Sequence, residues 1–171
     1  MLLRVVTNRL LARAFTRFPR LAERWAENYD TTRSVEIPWV PMTTPFPAAS
    51  IALVSTAGVH LRTQPPFDMR DPDGDPTFRE IPSDTSRAEL TITHDYYDHR
   101  DADRDLNIVL PLDRLAELAA AGEIGALAPR HFSFMGHIDR HHIRTLQEQS
   151  APAVAQLLRD DRVDAVLLAP A

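Results

Sequence analysis

Residues 50–56 read SIALVST, an unbroken apolar run that is too short for a helix and has no polar face. Such a run is a strand buried on both sides, the kind a parallel sheet uses. A second, mostly apolar segment, VDAVLL, occupies residues 163–168 and reads as the last strand. Two shorter segments between them, Glu89–Thr93 and Leu106–Leu110, also read as strands. Helical patterns separate these runs. Pro111 opens one helix, where its missing N–H does no harm; Leu112, Leu115, Leu118 and Ala119 carry its apolar face, and Gly122 caps it. A second helix is expected over Asp139–Asp160, with Ile143, Leu146, Ala153, Leu157 and Leu158 inward and a break or restart at Pro152. Strands alternating with helices indicate an α/β fold: a layered domain with a mainly parallel sheet.

The sequence ahead of the first run has a different character. Leu3, Val6, Leu10, Ala14, Phe15, Phe18, Leu21 and Trp25 recur at steps of three and four, predicting an amphipathic helix over Leu2–Tyr29 with a break or kink at Pro19. Its other face is Arg-rich, so packing on the domain and binding a partner or membrane surface are both open. Residues 34–48 carry Pro38, Pro41, Pro45 and Pro47 and must be an extended connector. The expected division is therefore 1–48, an N-terminal helix and proline-rich connector, and 49–171, the α/β domain.

Composition excludes several function classes. The 171 residues contain no cysteine, which removes zinc–thiolate sites, iron–sulfur clusters and a thiol nucleophile from the chain as given. All 19 basic residues are Arg, so neither a P-loop lysine nor a Schiff-base lysine is present. A net charge of -5 argues against a nucleic-acid partner, and no 18-residue apolar run spans a membrane. No secretory or import signal is recognised, and a cytoplasmic location is expected. The single Ala57-Gly58 turn is not a glycine-rich dinucleotide loop.

Histidines supply the chemistry that remains. Residues 94–99 read HDYYDH and residues 131–142 read HFSFMGHIDRHH. Two such groups suggest a polar pocket in which an imidazole serves as acid or base. His137 and His141 are four apart and would share a helix face, but the HExxH pattern is absent and no residue is assigned as a metal ligand. The Asp-rich loop 68–75 lacks calcium-loop spacing and reads as a solvated loop.

Four segments carry a family resemblance: ALVSTAGVHLRTQPPFD (52–68), GDPTFREIPSD (74–84), ITHDYYDHRDADRDLNIVLPLDRL (92–115) and GALAPRHFSFMGHI (125–138). Together they resemble the glycine/sarcosine/betaine reductase selenoprotein B family, in particular its short branch that includes the D-proline reductase selenoprotein subunit. The resemblance implies an oxidoreductase subunit that cleaves a C–N bond of a small amino acid or amine. A selenolate or thiolate attacks the substrate carbon, and a thioredoxin-like or other dithiol supplies electrons. Further reductase subunits are implied as partners, and no separate cofactor.

The family's nucleophile sits in a Sec/Cys-x-x-Cys motif directly after a strand like Val163–Pro170. This sequence has no such motif. The chain is expected to be truncated just before it, and to be inactive as given; a true short product would instead be inert. The resemblance directs attention to His94 and His131 as acids for the leaving amine. Arg130 is the candidate clamp for a substrate carboxylate, with Asp95, Asp98, His99, Ser133 and His60 as further substrate-binding candidates. Two other readings stay open: a metal-dependent enzyme using the His/Asp clusters, and a non-catalytic binding or assembly subunit.

Overall fold

The computed structural model describes residues 2–27 and 40–171. The expected helix end at residues 28–29 and the start of the connector, 34–39 with Pro38, lie outside the described residues. The chain divides into two compact units, Met1–Thr43 with Asp95–Asp98, and Thr44–His94 with His99–Ala171.

The N-terminal unit holds helices α1 (Leu2–Arg17) and α2 (Pro19–Glu27). The break falls at Phe18, because Pro19 has no N–H to continue the ladder and suits the first turn of a new helix. The Phe15 and Trp25 rings meet across the bend, centroids 6.0 Å apart. Val6, Leu10, Phe18, Leu21 and Trp25 remain exposed.

The second unit is built on strands β1 (Ser50–Ser55), β2 (Val59–Leu61), β3 (Phe78–Pro82), β4 (Leu90–Ile92), β5 (Ala126–Leu127), β6 (Arg130–Phe134) and β7 (Ala165–Ala169). Its helices are α3 (Leu112–Ala120), α4 (His141–Thr145) and α5 (Ala151–Asp160). β1 is the centre of the main sheet. β7 runs parallel to it from Ile51↔Ala165 to Ser55↔Ala169. The opposite edge of β1 is covered in two pieces, β5 at Ser50 and Ile51 and β6 at Val54 and Ser55. β3 adds an antiparallel edge to β6, so the sheet is mainly parallel, as the apolar runs predict. β2 and β4 form a separate antiparallel ribbon.

The layering follows from side-chain alternation. Phe132 and Phe134 of β6 point to one face, where Val154, Leu157 and Leu158 of α5 cover them together with Phe78 and Leu146. The rings of Phe78 and Phe132 meet nearly edge-on, 5.9 Å between centroids. Ser55 faces the other side, and its hydroxyl donates to Val109 O at 2.7 Å. That bond shows where residues 106–110 lie: across the sheet, not in it. They form a 3-10 turn, Leu106–Ile108, which corrects the expected strand. The cause is polar and local. Asp105 Oδ1 accepts from the Asn107 N–H and from Asn107 Nδ2, while Asn107 Oδ1 accepts from the Asp113 N–H. These bonds curl the backbone before Pro111 can start α3. The expected 139–160 helix is also segmented: α4, a π-type turn over Leu146–Ser150, then α5 with Pro152 in its first turn.

Candidate functional site at the carboxyl end of the sheet

In open parallel sheets, ligands bind beyond the carboxyl ends of the strands, where loops diverge. Here the ends of β1, β6 and β7 converge on Gly136. Thr56 N–H donates to Ala169 O at 3.1 Å, and Thr56 Oγ1 accepts from Ala171 N–H at 3.0 Å. Gly136 N–H donates to Nε2 of buried His94 at 3.3 Å. A Cβ added to Gly136 would stand 3.0 Å from Thr56 O, 3.2 Å from Ala171 O and 3.5 Å from His94 Nε2. The absence of a side chain therefore lets three strand ends and an imidazole close on one point.

Gly58 holds His94 in range. It has φ +69, and a Cβ there would approach Thr93 O to 2.5 Å. Only glycine allows the turn after β1 to press so closely on the end of β4. Gly58 N–H donates to Phe134 O and Thr93 N–H donates back to Gly58 O, tying β6, the turn and the His94 segment together.

His131 occupies a different part of the molecule. It is the second residue of β6 and is fully buried. Gly136 lies five residues further on, or about 17 Å at strand rise. His131 Nδ1 accepts from the Leu53 N–H at 3.0 Å. Nε2 must then carry the proton of the neutral ring and donate to Ser83 Oγ, 3.0 Å away. Ser83 Oγ in turn donates to Ala128 O. The chain of bonds fills the break between β5 and β6, where Pro129 offers no N–H. Burial first, and then the Arg87 charge, pull the His131 pKa down to about 4, which keeps the ring neutral.

Arg130 is similarly engaged within the protein. Its Nε and Nη2 grip the Asp161 carboxylate at 2.6 and 3.0 Å, and its Nη1 donates to Glu80 Oε2 at 2.8 Å. The guanidinium thereby ties β6 to β3 and to the residue after α5. The Asp161 bonds, then those to Glu80, push the Arg130 pKa up, and Arg130 holds Asp161 below the usual carboxylate range.

The other candidates are dispersed. His60 Nδ1 donates to Leu61 O, leaving Nε2 to accept from Thr93 Oγ1, both at 2.8 Å. Burial lowers its pKa, against the bond to Leu61 that raises it. Ser133 is buried with its hydroxyl 3.4 Å from Phe134 O. His99 Nδ1 lies 2.8 Å from Asp103 Oδ2. Asp95 and Asp98 belong to the N-terminal unit, where Asp95 Oδ1 accepts from Arg9 Nε at 2.8 Å.

Of the sequence candidates, His94 is therefore the one the fold sets at the sheet end beside Gly136. Thr56, Gly58 and Gly136 were not singled out as site residues. A glycine directly after each of two strand-ending segments was the available signal. His137 precedes α4, so the helix face it was expected to share with His141 does not form. Its Nε2 donates instead to Pro72 O at 2.7 Å.

Comparison with known proteins places these features in context. The family described as glycine/sarcosine/betaine reductase selenoprotein B matches residues 21–171. D-proline reductase subunit gamma of Acetoanaerobium sticklandii is 37% identical over 130 residues, 76% of this chain and 52% of that protein. The chain thus spans about half the length of the curated relative it matches. No solved structure matches it.

Proposed function

Since the chain belongs to the glycine/sarcosine/betaine reductase selenoprotein B family, we propose that it forms the acid–base and substrate-facing end of a reductase subunit that cleaves a C–N bond in a small amino acid or amine. In such a reaction a selenolate or thiolate attacks the substrate carbon, the amine leaves, and a dithiol donor returns two electrons. These 171 residues hold no cysteine, so the nucleophile must be supplied from outside them. Further reductase subunits and a dithiol protein are the proposed partners. Cytoplasm is the proposed location, since free dithiols persist in a reducing compartment.

The observation that supports this reading most is the meeting of His94 Nε2 with the ends of β1, β6 and β7 at Gly136. With Gly136 N–H donating to it, Nε2 is the unprotonated nitrogen of the resting ring. It can take the proton of a nearby selenol or thiol, releasing the backbone N–H as it does so. It can then give that proton to the departing amine. One imidazole thereby serves as base and as acid, and the proton count balances. Arg130 and His131 are assigned to holding the sheet together, because their polar atoms are already committed to Asp161, Glu80, Leu53 and Ser83.

The test is His94→Gln in the complete subunit, assembled with its partners and supplied with a dithiol donor and D-proline, sarcosine, betaine or glycine. Turnover should fall about 100-fold or more, the usual size of a lost general acid–base, with the circular dichroism spectrum unchanged. A folded variant that keeps full turnover removes His94 from the chemistry. Loss of activity on all four substrates by the wild-type assembly removes the reductase reading itself.

A further inference from the structure

The acidic loop over residues 68–75 and the start of α4 carry a second set of chemistry-bearing side chains, separate from those at Gly136. Asp71, His141 and His142 offer ligand atoms that all lie within 4.8 Å of one another. His142 Nε2 is 3.0 Å from Asp71 Oδ2 across 71 residues of sequence. Ligands about 2 Å from a tetrahedral ion sit about 3.3 Å apart, so modest side-chain rotation brings the three to bonding positions. His141 is exposed and the other two are half-buried, which leaves an ion an open side toward solvent. The His141 and His142 rings lie side by side, centroids 4.0 Å apart.

The surrounding backbone is fixed before any ion arrives. Gly74 bridges to Ile138, and Asp139 N–H donates to Asp73 O at 2.8 Å. His137 Nε2 holds Pro72 O from the other side. A Cβ on Gly74 would fall 1.7 Å from His137 O, so the loop reaches this contact only through glycine. Arg140, with φ 50, turns the chain sharply so that His141 and His142 emerge over the loop. Asp73 Oδ2 stands 3.5 Å from His141 Nδ1. A carboxylate on one ring nitrogen is the usual companion of an imidazole that ligates through the other.

We propose that Asp71, His141 and His142 form a binding site for one divalent transition-metal ion of the zinc class, with the remaining coordination open to water. Two imidazoles and one carboxylate are the donor set such ions take, and a magnesium or calcium site would instead need several oxygens. The ion would clip the acidic loop to α4. The proposal is independent of the reductase reading, since its ligands come from the 68–75 loop and the start of α4 and its test reads metal binding and not turnover.

The test is equilibrium dialysis of the chelator-stripped chain against zinc chloride. One zinc per chain is expected. His141→Ala, His142→Ala and Asp71→Asn should each weaken binding about tenfold or more, a range seen when metal-site partners are removed. His99→Gln should bind as the parent does. If a variant loses its fold, the parent supplies the second readout: zinc should protect His141 and His142, and no other histidine, from diethyl pyrocarbonate. A parent that takes up no stoichiometric zinc overturns the proposal. So does binding unchanged in the folded variants, or protection at histidines elsewhere.

Discussion

The Leu53 N–H and Nδ1 of His131 form a 3.0 Å hydrogen bond in the stretch of β1 that lies between its pairings with β5 and β6. A side chain thus supplies a rung that the backbone ladder lacks. The ring can accept only while Nδ1 is unprotonated, so the sheet is coupled to proton binding.

That coupling sets a pH dependence. The folded His131 pKa of about 4 lies below its ordinary value of 6.5. Between those values the unfolded chain binds more protons, so stability is full above pH 6.5 and declines as pH falls toward 4. The contribution amounts to about 3 kcal/mol. Urea unfolding across this range should show the decline. His131→Leu should lose that part of the slope, while costing about 1–3 kcal/mol at neutral pH for the orphaned Leu53 amide.

Arg130 should act on stability and not on substrate affinity. Arg130→Lys keeps the charge but loses the two-pronged grip on Asp161. The site is partly open to water, which limits the expected cost to about 1 kcal/mol. The urea midpoint should drop with the slope unchanged, and KM in the assembled enzyme should stay put. A large rise in KM would restore Arg130 to the substrate site.

Three glycines with positive φ should respond to alanine in a fixed order. Gly122 meets nothing within 4 Å, so Gly122→Ala should cost only the backbone strain, about 1–2 kcal/mol. Gly58→Ala adds a 2.5 Å approach to Thr93 O, and Gly74→Ala a 1.7 Å collision with His137 O. Thermal melts should rank them Gly122, Gly58, Gly74 from mildest to most severe. Any other order would contradict the loop packing described.

Phe132→Ala removes the fully buried ring that joins β6 to Phe78 and α5. A loss of about 3–5 kcal/mol is expected, as for large-to-small changes in a packed interior. Chemical denaturation measures it directly, and a loss below 1 kcal/mol would mean that α5 does not cover this face.

The legible parts of the fold were those where side-chain type and environment agree. β1 is an apolar run inside the sheet, Pro111 and Gly122 bracket α3, and Pro19 breaks the first helix; β7 was legible from its apolar residues alone, although Val166, Leu167 and Leu168 are exposed. β6 was hidden because its inward residues on one side are His131 and Ser133, so its alternation looked like a polar cluster. β3 was hidden for a related reason: Arg79 and Glu80 sit mid-strand, and Pro82 closes it at an edge where no further rung is needed. Leu106–Leu110 misled in the opposite direction, since its apolar residues suit a strand while Asp105 and Asn107 bend it into a turn. At the site, His94 stood out as a titratable group in a polar segment. Gly136 did not, because its role is to leave space, and space has no composition. Nor was the pairing of Asp71 with His142 legible, since it depends on a loop contact across 71 residues.

The pairing of β1 with β7 also bears on how the chain is made. Asp164 receives the Ser50 N–H and the Thr44 hydroxyl, joining residues more than a hundred positions apart. At about 5–20 residues per second, the ribosome delivers β7 on the order of 10 s after β1. During that interval the central strand has no neighbour on one edge, and its other partners, β5 and β6, emerge only late in the same wait. Nascent chains of this protein should therefore expose the apolar edges of β1 for several seconds, a surface prone to non-native association until β5, β6 and β7 arrive.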